Sequence, residues 1–402
     1  MKKFAKISLA AAVAVAGLSS VASAKPLEEA IKGVDATGYV TYRMDHQDYS
    51  KPSNTASKET HNYKAAMTLT IPATEDVNVK LQGVVWGQGL NGKDSTKTNE
   101  TNPSTDLMEA NFVYTGVENL TVIAGKQAIN TPWTEGTSHI NKTNSGTGAL
   151  ALYNAGFATF AAAHFTAHNV ATVANTDTNA VNDVNALLGG GQNITVAAAI
   201  IPIMDVATAQ IWYADFAKDS NAGTLKKGAD ALTVSADINL MDLAKLNVGH
   251  STLDANDDAI LKKQKLTKAV LSGSVDIVNL AAGYAKGGKD GAIVAFDSDA
   301  SAAFKGWRVH TNANLKDIKA YMLKADVNVM DNLNLALTHV SAKADVAAKG
   351  KNKETYAQAT YKFASNLSAY LRYGTQKDEL VDGSKAAPIK SNNTRLEVAF
   401  KF

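Results

Sequence analysis

The sequence predicts an all-β protein: a transmembrane, up-and-down antiparallel β-barrel of about 18 strands, with long outer loops and short periplasmic turns. Three observations carry that prediction. Apolar and polar residues alternate with a period of two along most of the chain, which is the signature of strands with one apolar face. The connections between the alternating segments are themselves short and long in strict alternation. The last segment runs to the C-terminus and stops on Phe402.

Composition removes the main competing classes. With 402 residues, 45% apolar and 19% charged, the chain is not disordered. The absence of cysteine excludes a disulfide scaffold, a thiolate zinc site and a cysteine nucleophile. Forty basic against 38 acidic residues argues against a nucleic-acid partner. Seven prolines and 28 glycines exclude collagen-like and proline-rich chains.

The N-terminus reads as an export signal. Lys2, Lys3 and Lys6 precede an apolar run from Ile7 to Leu18, and Ala22-Ser23-Ala24 forms an A-x-A cleavage site. Residues 1–24 are therefore expected to be a cleaved signal peptide, and losing its three lysines leaves one excess acid in the mature chain. Residues 25–34 read as a short periplasmic segment, with Glu28, Glu29 and Gly33 suiting a small helix over 26–32. Residues 35–402 form the barrel domain. Beyond residue 24 no run approaches 18 apolar residues, so any membrane crossing is made by strands.

In chain order the alternating segments fall at 35–45, 61–72, 77–88, 106–116, 120–128, 147–154, 157–167, 192–203, 207–217, 229–240, 243–252, 266–277, 279–287, 318–329, 333–343, 354–363, 367–377 and 393–402. In the second, Tyr63, Ala65, Met67, Leu69 and Ile71 share one face, opposite Asn62, Lys64, Thr68 and Thr70. In the tenth, Leu232, Val234, Ala236, Ile238 and Leu240 oppose Thr233, Ser235, Asp237 and Asn239. The last sets Leu396, Val398, Phe400 and Phe402 against Arg395, Glu397 and Lys401. Short joins at 73–76, 116–119, 154–156, 204–205, 241–242, 278, 330–332 and 364–366 alternate with long polar ones such as 89–105, 168–191 and 288–317. Greek-key sandwiches have no reason to keep that order, whereas a membrane barrel does. Three joins repeat an apolar-Met-Asp triplet, at Met204-Asp205, Met241-Asp242 and Met330-Asp331. Prolines avoid strand interiors, as strands in hydrocarbon require. Segment 302–314 is either an excursion within a long outer loop or an extra strand pair.

Two sequence stretches and the chain end resemble a known family. Pro26-Leu27-Glu28-Glu29-Ala30-Ile31-Lys32-Gly33-Val34-Asp35 with Gly38-Tyr39-Val40-Thr41-Tyr42-Arg43 resembles the mature start of the Campylobacter-type major outer membrane protein porins. Val122-Ile123-Ala124-Gly125-Lys126-Gln127 followed by Trp133-Thr134-Glu135 is similar to that family's run into its third outer loop, and Phe400-Lys401-Phe402 fits its end. The resemblance implies an eighteen-stranded, trimeric porin in the outer membrane of a Gram-negative cell. Its partners would be membrane lipid, lipopolysaccharide, ions and small hydrophilic solutes, with mild cation preference and an inward-folded third outer loop. That loop, 129–146, carries Glu135, His139 and Lys142, and with Lys126 these are the constriction candidates. Wall candidates by parity are Arg43, Lys64, Lys80, Glu109, Asp215, Lys245, Lys362, Arg372, Arg395 and Glu397. Aromatic-girdle candidates are Tyr42, Tyr63, Tyr114, Trp212, Tyr361 and Tyr373. No cofactor is required. The resemblance allows calcium near the constriction, but the sequence does not identify its ligands: the loop offers His139 and Lys142, and the acid groups Asp254, Asp257, Asp258 and Asp297, Asp299 lack a glycine-centred calcium loop.

Catalysis finds little support. His164 and His168 are four apart on a strand, roughly 13 Å along one face, too far to share a metal. No nucleophile elbow or phosphate-cradling glycine loop occurs. The competing reading is a soluble or surface-attached β-rich adhesin or surface-layer protein, whose apolar faces would pack on one another instead of meeting lipid.

Overall fold

The computed structural model describes residues 33–50, 57–92, 103–138, 140, 143–170, 192–219, 225–241, 243–259, 261–297, 299–312, 315–345, 351–379 and 389–402. The expected signal peptide and the helix over 26–32 lie outside the described residues, as do His139 and Lys142.

Eighteen strands follow one another: β1 (Asp35–Tyr49), β2 (Lys58–Pro72), β3 (Val77–Gly92), β4 (Ser104–Val117), β5 (Leu120–Ala128), β6 (Ser145–Asn154), β7 (Thr159–His168), β8 (Ile194–Ile203), β9 (Ala207–Phe216), β10 (Ala229–Leu240), β11 (Ala244–Ala255), β12 (Gln264–Val275), β13 (Val278–Gly287), β14 (Lys319–Met330), β15 (Leu333–Lys343), β16 (Lys351–Ala364), β17 (Leu367–Asp378) and β18 (Ile389–Lys401). Each pairs antiparallel with its neighbours in sequence, and β1 pairs with β18, so the sheet closes without an edge. Closure is what allows a sheet to stand in hydrocarbon, because every ladder group finds a partner within the wall.

The strand count and the alternation of joins match the sequence reading. Turns as short as 118–119 and 365–366 alternate with loops as long as 169–193 and 288–318. Several strands run past their predicted outer ends, β1 to Tyr49 and β2 back to Lys58. Segment 302–314 belongs to the loop between β13 and β14, where Lys305 and His310 form an isolated antiparallel bridge. A strand of twelve residues rises about 40 Å, and a tilt near 40° reduces that to about 30 Å, the depth of a hydrocarbon core.

Turn chemistry follows from sequence. Asn119 and Asp276 take left-handed backbone at φ 62° and 55°, as short polar side chains tolerate. Met204 and Met241 do the same at 44° and 45° with side chains 86% exposed, so two of the three apolar-Met-Asp repeats are one turn device.

Two different linings fill the interior. On β7–β10 and β12–β15 the inward face is mixed: polar Gln210, Thr233, Asp237 and Lys268 share it with the apolar Phe165, Val196, Phe216, Ala231, Leu266 and Val340, the last six all buried. They pack on apolar residues of loop 288–318, such as Val294, Phe296, Phe304 and Val309. On β16–β18 and β1–β4 the inward residues are mostly polar or charged, including Thr41, Asp45, Lys64, Glu109, Glu354 and Arg395. The outward face carries Val40, Leu337, Leu371 and Phe400, exposed as a lipid-facing band requires.

Candidate pore lining

Loop 129–144, between β5 and β6, is folded by its own short-range bonds. Thr134 Oγ1 donates to the Ile129 carbonyl at 2.7 Å, and the Asn144 amide donates to the Glu135 carbonyl at 3.0 Å. The loop then meets the wall at β1 and β2. Tyr39 Oη and Lys64 Nζ both donate to the Ser138 carbonyl, at 3.0 and 2.7 Å. Trp133, 1% exposed, is sealed beneath the second large loop.

That second loop, 288–318, crosses the interior. Phe296 and Ala302 donate backbone N–H groups to the Trp133 and Pro132 carbonyls at 2.8 and 2.7 Å. Asn312 braces the loop from within, accepting from Val294 and Ala295 at Oδ1 and donating from Nδ2 to the Ala295 carbonyl. Its tip docks on the wall. Glu354 of β16 accepts the backbone N–H groups of Trp307 and Arg308, each at 2.6 Å. A Cβ at Gly306 would lie 1.8 Å from Glu354 Oε1 and 2.7 Å from Val340 Cγ2, so any larger residue there displaces the Glu354 carboxylate from this docking. Arg308 reaches Asp45 of β1 at 3.6 Å.

Charge is arranged in pairs along the polar wall. Arg395 forms a bidentate pair with Asp45, 2.7 and 3.1 Å, and Arg43 meets Glu397 at 2.6 Å. Arg372 bonds Gln358 and stacks over Tyr356 and Tyr370. The guanidinium carbons of Arg308, Arg372 and Arg395 all stand within 5.6 Å of the Trp307 ring. Further round, Lys80 pairs with Glu109 at 2.7 Å and Lys126 with Asp106 at 3.2 Å.

An acidic group lies within reach of Lys64 and Arg43 on this wall. Carboxylate oxygens of Glu135, Asp297 and Asp299 lie within 4.8 Å of one another, one from the first loop and two from the second. Asn144 Nδ2 donates to Asp297 at 3.1 Å, and Lys305 pairs with Asp299. Burial, and then the Asp297 charge, push the Glu135 carboxyl above its ordinary range, against the pull of Lys305, Lys64 and Arg43. Burial raises Asp297 likewise, opposed by Lys305 and by the Asn144 hydrogen bond. Three crowded carboxylates from two loops form a donor set suited to a hard divalent cation.

Of the residues singled out from sequence, Arg43, Lys64, Lys80, Glu109, Lys245, Lys362, Arg372, Arg395 and Glu397 share the inward face. Asp215 does not. It shares its face with exposed Ile211 and Tyr213 and stands opposite Asp230, while Ala214 and Phe216 are buried inward. Trp212 is wrong for the same reason: it points inward, bonding Gln210 and packing on the interior core, so it is no girdle residue. Parity failed at the outer end of β9 because Trp212, Ala214 and Phe216 face inward there, against the core that loop 288–318 completes. Tyr42, Tyr63, Tyr114, Tyr361 and Tyr373 are exposed, as girdle residues are. Lys126 follows Gly125, whose φ of 126° is a local break in the strand before the loop. Asp45, Arg308 and Glu354 were not singled out, and Asp297 and Asp299 were read only as an acidic loop pair apart from Glu135. Their clue was the apolar run Ala292-Ile293-Val294-Ala295-Phe296, which has no place in a solvated outer loop.

The whole chain, residues 1–402, matches the family described as Campylobacter major outer membrane protein. The chain belongs to that family. It is an outer-membrane β-barrel protein of porin type, not an enzyme. No curated protein matches it. Among solved structures the barrel is similar to Pseudomonas aeruginosa OpdQ, with a TM-score of 0.68 at 15% identity, covering 92% of this chain and 99% of that one. A BenF-like porin from Pseudomonas fluorescens Pf-5 gives 0.68 at 13%, covering 92% and 99%. Pseudomonas aeruginosa OccK2 (OpdF), solved in complex with glucuronate, gives 0.67 at 15%, covering 92% and 98%. At these identities the likeness concerns the fold alone.

Proposed function

We propose that the porin is a water-filled diffusion channel for ions and small hydrophilic solutes, narrowed by loops 129–144 and 288–318 together. The observation that carries this reading is the acidic group Glu135, Asp297 and Asp299 held on two inward loops while Lys64 and Arg43 act on it from the wall. Opposed charges across a narrow passage set up a transverse field that orders ions and polar solutes. Glu135 is a constriction residue, with Lys126 at the approach and His139 and Lys142 on the same loop. Arg43, Lys64, Lys80, Glu109, Lys245, Arg372, Arg395 and Glu397 line the wall. Where family resemblance implies calcium, Glu135, Asp297 and Asp299 would hold it, and the ion would supply the positive charge that lets the two loops share one site. The mature chain is exported after cleavage of residues 1–24, assembles as a trimer and sits among lipopolysaccharide.

Swelling of proteoliposomes in isotonic sugars of graded size tests the channel. Entry of small sugars and exclusion of large ones supports it. Equal exclusion of every sugar, with correctly folded protein, rejects it.

A further inference from the structure

The outward face of β13–β18 ends, at the long-loop side, in a continuous row of lysines. Register sets Lys286 opposite Lys319, Lys319 opposite Lys343, and Lys343 opposite Lys351. A second run sets Lys353 opposite Lys377 and Lys377 opposite Lys390. All seven are exposed, whereas the inward neighbours Ala285, Ala320 and Ala342 are buried. Side chains directly opposite on an antiparallel pair stand about 5 Å apart at Cβ, and like charges there destabilise the sheet. Among the described residues, ion pairs to these seven reduce to Lys377 with Glu379.

The position of the row is as informative as its sign. Tyr284, Tyr321 and Tyr373 sit just below it on the same face, exposed like an interfacial girdle. From there to the short turns, the outward face of these six strands carries no Asp, Glu, Lys or Arg. The positive charge thus belongs to one rim only, the rim beside the long loops. Lysine stems lie along apolar surface and extend the ammonium toward a headgroup layer.

We propose that the outer rim of β13–β18 is a binding surface for the phosphate groups of outer-leaflet lipid, which neutralise the lysine row. This rests on the porin reading, with the long loops outside. A second copy is the weaker occupant. The acidic stretch of the same rim, Asp215, Asp230 and Asp254, spans three strands, and two of its members are already bonded, Asp230 by Tyr213 and Asp254 by Lys263.

The test compares the wild-type oligomer with K286Q/K319Q/K343Q/K353Q/K377Q, binding bisphosphorylated lipid A or its dephosphorylated form in detergent, read by native mass spectrometry. Glutamine removes repulsion without removing the stem, so the barrel folds; K319Q alone and K343Q alone provide smaller steps of the same kind. The wild type is expected to prefer the phosphorylated lipid, and the fivefold variant to bind it about 100-fold more weakly. Equal binding by both proteins, or indifference to the phosphates, overturns the proposal. So does loss of the oligomer with unchanged lipid affinity, which assigns the row to a second copy. Single-channel current from the same preparations is expected to be unaltered. A silent wild-type channel that still binds lipid A through these lysines defeats the porin reading and leaves the lipid surface standing.

Discussion

Asn144, in the loop between β5 and β6, donates a hydrogen bond of 3.1 Å to Asp297, in the loop between β13 and β14. Elements 153 positions apart thus meet inside the barrel and hold each other in place. With the Phe296–Trp133 and Ala302–Pro132 backbone bonds, this contact makes the two loops one structure.

Glu135→Gln removes one negative charge from the group facing Lys64 and Arg43. Ion selectivity is expected to move toward anions, seen as a shift of the reversal potential under a salt gradient. An unchanged potential removes Glu135 from the ion path.

The docked tip of loop 288–318 depends on Glu354 and Gly306. Glu354→Ala leaves the Trp307 and Arg308 N–H groups without their acceptor, at about 1–3 kcal/mol each. Gly306→Ala forces a methyl group into Glu354, and overpacking of that kind costs about 1–3 kcal/mol. Both variants are expected to raise mean conductance and current noise as the tip leaves the wall, without loss of the barrel. Identical noise and conductance in both would mean that the tip does not border the passage.

Glu135 and Asp297 give a pH dependence with a definite sign. A carboxyl whose pKa is raised on folding binds its proton more tightly when folded. The two-loop arrangement is therefore favoured at low pH and loses that contribution as pH rises through the raised values. At neutral pH the charges must be offset by Lys305 or by a cation. Chelation by EDTA is expected to lower the unfolding temperature at pH 7 and to have little effect near pH 4, about where ordinary carboxylates protonate. The same EDTA effect at both pH values would argue against these carboxyls as ligands.

The barrel seam gives a stability prediction. Asp45 of β1 and Arg395 of β18 are both buried and bidentate, so Asp45→Ala strands a buried guanidinium. Breaking one side of a buried pair costs about 3–5 kcal/mol. The temperature at which the folded band converts to the unfolded band on gels is expected to fall. Asp45→Ala combined with Arg395→Met should recover much of the loss, and failure to recover would show that Asp45 acts through Arg308 instead.

The wall was legible in the sequence because lipid imposes one rule on every strand: the outward face of β2, β10 or β18 has to be apolar, and alternation reports it directly. The interior obeys no such rule. Along β16–β18 and β1–β4 it is polar, so parity found Arg43, Lys64, Arg372 and Arg395. At the outer end of β9 it is apolar, where Ala214 and Phe216 join the core under loop 288–318, and parity inverted Asp215 and Trp212 together. Glu135 was found through its family motif. Its companions Asp297 and Asp299 were visible as an acidic loop pair, but their approach to Glu135 depends on a loop crossing the barrel, and no local pattern encodes that.

Single-channel recording in a planar bilayer under a salt gradient shows whether the barrel conducts and whether its two inner loops border the passage. Discrete current steps arriving in groups of three, a cation-favouring reversal potential in the wild type, and larger, noisier steps in Glu354→Ala are expected. A folded, bilayer-inserted protein that passes no current in either form would contradict a channel function.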